Sequence, residues 1–216
     1  MGSRIMHYCI AILLADQLGI KNRNEFMLGG IAPDIHGLMG VPKGVTHFKD
    51  TDANGESHIN YVRFYNTYKD VIKEQPFYLG YLCHLISDVA YLDTYFKIVP
   101  KSLSAGQLKE KLQTSYRDFE RCNGRIIRQY SLTLHEHVLP SINIHGYNAD
   151  FLPALLDELR KDFQIDEVLI HEPLELFKDD NSEITDYIDK SVKHSLEFLS
   201  RVGICSCAQI EMELKD

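Results

Sequence analysis

The chain lacks the features that would place it in a membrane, outside the cell or on nucleic acid. Its 216 residues contain no uninterrupted apolar run of the roughly 20 residues that cross a bilayer, which predicts a soluble protein without membrane insertion. The N-terminal residues show no secretory signal pattern, so we expect a cytoplasmic location. The net charge of −8 opposes stable nucleic-acid binding, so a phosphate-bearing ligand would need local positive charge, such as a bound metal ion.

Cysteine is also scarce, with five residues in the chain. The number is odd, and Cys9 and Cys83 lie in apolar helical patterns, where a free thiol behaves as a small apolar side chain. Cys205 and Cys207 are close in sequence, but no second cysteine pair accompanies them. We therefore expect no metal or redox site at these cysteines.

Strand-like alternation and internal repeats are missing, and apolar residues recur at helical spacing. The fold class is therefore predicted to be all-α, a single-domain multi-helix bundle over residues 1–216 with a metal site in a cleft. Residues 131–144 are ambiguous and could include a short extended piece. The expected helices run from Ser3 to Gly19, from Asn24 to before Pro33, over about 58–74 after a Ser57 cap, from Pro76 to about Val99, from Ser104 to about Tyr130, and near 150–162 and 182–201 after caps at Asp150 and Ser182.

The pair His84 and Asp88 is the strongest sign of a functional site. The four-residue spacing puts an imidazole and a carboxylate on one face of an apolar helix, where both can reach one metal ion. A buried carboxylate needs compensation, which a divalent cation supplies strongly.

Further candidate ligands surround this pair. His7 lies in the first predicted helix, Asp34 follows the second, and His47 lies in a glycine-rich stretch over residues 33–57 that we expect to form a long functional loop. Three imidazoles and two carboxylates suit zinc or another divalent transition metal, and the carboxylates permit one or two ions. The predicted metal ligands are His7, Asp34, His47, His84 and Asp88.

Four motifs occur in order along the chain: Ser3–His7, Phe26–Asp34, Thr46–Phe48 and Phe77–Asp88. In their order and separation they resemble the zinc-dependent phospholipase C family of bacteria, and the resemblance covers about the first 90 residues. That superfamily also includes single-strand zinc nucleases, and the resemblance implies an all-α fold whose metal cluster cleaves phosphodiesters. It also implies that Asp34, His47, His84 and Asp88 bind one ion, and that His7 binds another with Asp88 as the bridge.

The chain departs from the family pattern at the remaining ligands. Thr94 stands where the family has a further histidine, and Tyr116–Glu120 stands in the region where the family has a later His-x-x-x-Glu element. The free amino group that secreted members use would require a cleavage for which there is no signal. We therefore expect fewer than three ions. Other side chains that could join the site are His36, Asp118, His135 and His137.

These observations predict a metal-dependent hydrolase that cleaves a small phosphate ester, most simply a phosphodiester. Asp34 is the catalytic candidate, either orienting or deprotonating the attacking water or acting as a simple ligand. A nucleotidase of the HD type is disfavoured because the chain has no adjacent His-Asp dipeptide. An alternative function, from a different class, is a non-catalytic, metal-stabilised helical module that binds or senses a ligand. The sequence favours no particular oligomeric state.

Overall fold

The computed structural model describes residues 2–205 and is built mainly from helices, which confirms the all-α prediction. Cys207 lies outside the described residues. The helices are α1 Arg4–Gln17, α2 Arg23–Ile31, α3 His36–Met39, α4 Lys43–Thr46, α5 Tyr61–Ile72, α6 Pro76–Ile98, α7 Ala105–Gln129, α8 Leu152–Asp162 and α9 Ser182–Arg201. Short 3-10 turns occupy Ala32–Ile35, Ala149–Phe151 and Leu169–His171, and two strands are β1 Lys49–Thr51 and β2 Ser57–Ile59.

Three long helices begin where the sequence predicted. The Ser3 hydroxyl accepts a hydrogen bond from the Met6 backbone N–H and caps α1. Ser104 caps α7 in the same way, and the Gln107 side chain accepts from the Ser104 backbone N–H in return. Pro76 occupies the first turn of α6, where its missing N–H has no helical partner to lose.

The region between Asp34 and α5 was predicted wrongly as an irregular loop. It contains α3 and α4 and an antiparallel hairpin that pairs β1 with β2. Ser57 lies in β2, so it does not cap α5. Asn60 is the N-cap instead, because its side chain accepts from the Arg63 backbone N–H.

Smaller corrections apply to three other helix starts. In each case an asparagine one or two residues earlier occupies the capping position. Asn22 and Asn148 accept hydrogen bonds from the backbone N–H groups of Glu25 and Asp150, whereas Asn181 has the left-handed backbone angles that Asn tolerates. The N-cap of α2 is Asn22 rather than Asn24, the N-cap of α9 is Asn181 (φ 59°) rather than Ser182, and Asp150 lies in a 3-10 turn that Asn148 caps ahead of α8.

Helix α6 is the centre of the fold and packs against α2, α5 and α9. Two glycines allow its backbone to touch that of α2. A Cβ atom on Gly80 would lie 2.0 Å from the Phe26 carbonyl oxygen, and one on Gly29 would lie 2.0 Å from the Phe77 carbonyl oxygen. This close contact brings α2 against the first turns of α6. Within residues 2–205, no helix combines the length and apolar character needed to cross a membrane.

Candidate metal centre

The middle of α6 carries the predicted histidine and aspartate into the protein interior. His84 is 2 % exposed and Asp88 is fully buried, and His84 Nε2 lies 3.8 Å from Asp88 Oδ2. The two side chains therefore share one face of α6, as their spacing predicted. Because α6 is apolar on most of its surface, this polar pair is enclosed by packed side chains rather than by solvent.

The structure brings the five predicted ligands together. His47 Nε2 lies 3.2 Å from His84 Nε2, 3.4 Å from Asp34 Oδ1 and 3.3 Å from Asp88 Oδ2. His84 Nε2 lies 3.9 Å from Asp34 Oδ1, and His7 Nε2 lies 3.3 Å from Asp88 Oδ1. We refer to His7, Asp34, His47, His84 and Asp88 as the cluster. It draws its side chains from α1, the first 3-10 turn, the residue after α4, and α6.

Each of the three imidazoles is oriented by a hydrogen bond that its Nδ1 atom donates. His84 Nδ1 lies 2.8 Å from the Gly30 carbonyl oxygen, and His47 Nδ1 lies 3.2 Å from the Lys43 carbonyl oxygen. Carbonyl oxygens only accept, so both Nδ1 atoms carry the proton. The Ser87 hydroxyl donates to the His84 carbonyl oxygen and therefore accepts from His7 Nδ1 at 3.0 Å. Every Nε2 atom thus points into the cluster, the arrangement typical of metal-binding histidines.

The charges of the cluster favour ionised carboxylates and a neutral His84. Burial would raise the pKa of Asp34 and Asp88, but the Lys43 ammonium and the neighbouring histidines outweigh it and hold both pKa values well below the ordinary range. Burial, reinforced by the nearby His7, lowers the pKa of His84 well below its usual value. His84 therefore presents a lone pair, as a metal ligand must.

These residues fit a metal ion on geometric grounds. His84 Nε2 presents a lone pair 3.2 Å from His47 Nε2, and carboxylate oxygens of Asp34 and Asp88 lie beside both nitrogens. A cation between these donor atoms would contact all of them favourably. Among the described residues, His7 Nε2 and both Asp88 oxygens are buried without a hydrogen-bond partner. The separations of 3.2–3.9 Å that join His47 and His84 to each other and to the two carboxylates are close to the roughly 3.3–3.6 Å between the ligands of tetrahedral zinc with bonds of about 2.0–2.2 Å. The donor atoms form two overlapping groups, each within 4.8 Å, which are His7 with Asp34 and His84, and His47 with His84 and Asp88.

The cluster opens to one side. A cleft of about 340 Å³ reaches it at Asp34, whose side chain is 14 % exposed while Asp88 is fully enclosed. The far wall of the cleft comes from α7 and α8, including Tyr116 and Asp162. Structural zinc sites are closed and catalytic ones keep an open position, so this access favours a site that receives a ligand.

The four additional candidates lie outside the cluster. His36 lies at the rim, with its ring 5.4 Å from that of His47. Asp118 is a structural residue, because its oxygens accept from the backbone N–H groups of residues 175–177 and from Arg121. His135 and His137 lie on the surface stretch after α7, where His137 Nδ1 bonds the Asn24 carbonyl oxygen.

Sequence reasoning missed Lys43 and Ser87. Lys43 Nζ lies 3.6 Å from Asp34 Oδ1 and 3.7 Å from Asp88 Oδ2, so it faces both carboxylates. Nothing in the sequence around this lysine predicts that its side chain contacts two carboxylates. The position of Ser87 could have been found, because it precedes Asp88 and reaches the helix face next to the predicted pair.

Replacing Ser87 by alanine is expected to weaken zinc binding about 10- to 100-fold, since the His7 ring loses the acceptor that fixes its orientation. Competition with a chromogenic chelator measures this change. Ser191→Ala is the matched control, because this buried hydroxyl donates to the Tyr187 carbonyl oxygen one turn earlier in α9. Equal zinc affinity in both variants would contradict an orienting role for Ser87.

The fold and the cluster together define an all-α protein with a buried histidine and carboxylate centre that opens to a cleft. Residues 5–91 match the family model described as zinc dependent phospholipase C. This match confirms the family resemblance predicted from the motifs, and the matched segment contains the whole cluster and Lys43. It supports a phospholipase C-like hydrolase and implies zinc as the metal. Neither the comparison with curated proteins nor that with solved structures gave a match.

Proposed function

We propose that the protein is a zinc-dependent hydrolase of phosphodiesters. The observation that carries this proposal is the convergence of three Nε2 atoms with the buried Asp88 and with Asp34, which reaches an open cleft. A hydrogen bond at Nδ1 orients each imidazole. Asp34, His47, His84 and Asp88 would hold one ion. His7 and the second oxygen of Asp88 are the donors available to another, so the site suits one or two ions.

A bound zinc ion supplies a Lewis acid for the phosphoryl oxygens and lowers the pKa of a coordinated water. The protein residues then place the substrate and the water. Asp34 is the carboxylate that reaches the cleft, so it is either a ligand alone or also the group that orients the attacking water. The buried surroundings of His84 and Asp88 exclude bulk water from the rear of the site.

The cleft also separates this proposal from a non-catalytic metal-stabilised module. A module that uses zinc only to hold its helices has no need for access from solvent, yet here the open side carries a carboxylate and an ammonium group. We propose small soluble phosphodiesters, or single dispersed lipids, as better substrates than intact bilayers. Vesicle co-sedimentation with phosphocholine release tests that preference.

Protein purified without added metal is expected to contain one or two zinc ions per chain by elemental analysis. It should hydrolyse bis(p-nitrophenyl) phosphate faster than p-nitrophenyl phosphate, and a chelator should stop both reactions. Free zinc at 1,000 times its dissociation constant adds about 4 kcal/mol to the free energy of unfolding. For a chain of this size, that corresponds to a fall of roughly 8–16 °C in Tm on chelation.

Two outcomes would contradict the proposal. Zinc-free protein with a Tm that the chelator leaves unchanged would show that the cluster binds no metal. Zinc-loaded protein without phosphodiester hydrolysis would favour the non-catalytic module instead.

A further inference from the structure

Lys43 is the first residue of α4 and contributes to the site in two ways. Its carbonyl oxygen accepts from His47 Nδ1 and from the His47 backbone N–H, which fixes the position of that imidazole. Its side chain extends into the cleft, where Nζ approaches Asp34 and Asp88 while a quarter of the side chain stays exposed. The ammonium group therefore lies between the buried carboxylates and the space open to a ligand.

The other full positive charge among the described residues of the cleft wall is already paired. The Arg4 guanidinium donates to both oxygens of Asp162 at 2.7 and 3.1 Å, and it lies 3.7 Å from Glu158. Lys43 has no comparably short bond, since its two ion-pair distances of 3.6 and 3.7 Å exceed the roughly 2.7–2.9 Å of a close charge-assisted hydrogen bond. An ammonium group has three donors, so Lys43 can bind a third, anionic partner from the cleft.

We propose that Lys43 is a substrate-binding residue that donates to a phosphoryl oxygen beside the metal, an inference that rests on the proposed function. The Lys43 ammonium group is a positive charge of the protein itself, and it takes the place of the charge that a further metal ion would provide. One divalent ion with Asp34, Asp88 and neutral imidazoles has no net charge. Lys43 then adds a single positive charge, which matches the single negative charge of a phosphodiester. A phosphomonoester dianion would keep one charge uncompensated, so Lys43 also favours diesters over monoesters.

The test compares Lys43→Met and Lys43→Arg with the nearby control Lys49→Met. Lys49 is the first residue of β1 and does not line this cleft. Each variant is measured for zinc content, for hydrolysis of bis(p-nitrophenyl) phosphate, and for binding of dimethyl phosphate by phosphorus-31 NMR titration. The titration uses a diester that is not turned over on that timescale, so it reports binding apart from activity.

Lys43→Met is expected to keep its zinc while losing about 10- to 100-fold in affinity for dimethyl phosphate, the usual effect of removing a hydrogen bond to a charged group. Its KM should rise accordingly, and Lys43→Arg should recover most of the affinity because the charge is kept. Lys49→Met should stay within about threefold of the wild type, because solvent and salt screen a partly exposed charge.

Three results would overturn the inference. They are wild-type affinity in zinc-replete Lys43→Met, an equal loss in Lys49→Met, and loss of zinc from Lys43→Met, which would make the lysine a support for the metal. Failure of the proposed function has a different signature. The wild-type protein would then contain no zinc and hydrolyse no diester, yet would still bind dimethyl phosphate through Lys43. This result would contradict the hydrolase proposal and keep Lys43 as an anion-binding residue.

Discussion

His84→Ala is expected to abolish both metal binding and hydrolysis. His84 Nε2 faces His47, Asp34 and Asp88 at once, so its removal takes away a donor that lies within 3.9 Å of three others. Metal catalysis stabilises the transition state by several kcal/mol. Because each 1.36 kcal/mol is tenfold in rate, kcat/KM for bis(p-nitrophenyl) phosphate should fall about 1,000-fold or more. Elemental analysis of the same sample measures the accompanying loss of zinc.

His135→Ala is the matched control for this substitution. His135 belongs to the His135-Glu136-His137 motif that the sequence offered as a further candidate, and the structure places it on the surface after α7. Its zinc content, Tm and activity should equal those of the wild type. Retained zinc in His84→Ala, or a parallel loss in His135→Ala, would show that the cluster is not the metal site.

The second large effect is expected from Gly80→Ala. The added methyl group would lie 2.0 Å from the Phe26 carbonyl oxygen, and a backbone atom cannot rotate away as a side chain can. Overpacking of this kind costs about 3 kcal/mol at the upper end of its usual range. We therefore expect Tm to fall by about 6–12 °C. Separation of α2 from α6 would also lengthen the bond from His84 Nδ1 to the Gly30 carbonyl oxygen, so zinc affinity should fall as well.

Gly106→Ala provides the comparison, because nothing lies within 4 Å of the Cβ position at Gly106 in the first turn of α7. Alanine is a better helix former than glycine, so this variant should be as stable as the wild type or slightly more stable. Thermal unfolding followed by circular dichroism, together with a zinc titration, measures both variants. Equal melting of the two would mean that the backbones of α2 and α6 do not touch.

One pair of the cluster could be predicted because its chemistry is tied to regular spacing, whereas the full set with His7, Asp34 and His47 followed from the family resemblance. His84 and Asp88 are one helical turn apart in an apolar segment, and the helix that carries them forms over nearly the predicted bounds. The serine caps at Ser3 and Ser104 were equally readable, since a capping hydroxyl bonds a backbone N–H only three residues away. Local interactions of this kind leave a pattern in the sequence.

Contacts between distant parts of the chain leave no such pattern. The hairpin of β1 and β2 was missed because its residues are mostly polar and do not alternate, while the turn is held by Asp52 accepting from the backbone N–H groups of Asn54 and Glu56. Asp118 looked like a possible ligand, but the backbone N–H groups that bond its carboxylate lie 57 to 59 residues further along the chain. The carbonyl oxygens of Gly30 and Lys43 orient His84 and His47. These contacts could not be predicted from the sequence either, because every residue type has a carbonyl oxygen.

The cleft is built from two separate parts of the chain. All five cluster residues and Lys43 precede residue 89, whereas the opposite wall comes from α7 and α8 through residues such as Tyr116, Asn123 and Asp162. Under the proposed function, the residues of the reaction and those that shape the cleft would therefore lie in different halves of the sequence. Substitutions in α7 and α8 would then change which ester fits while leaving every cluster residue in place.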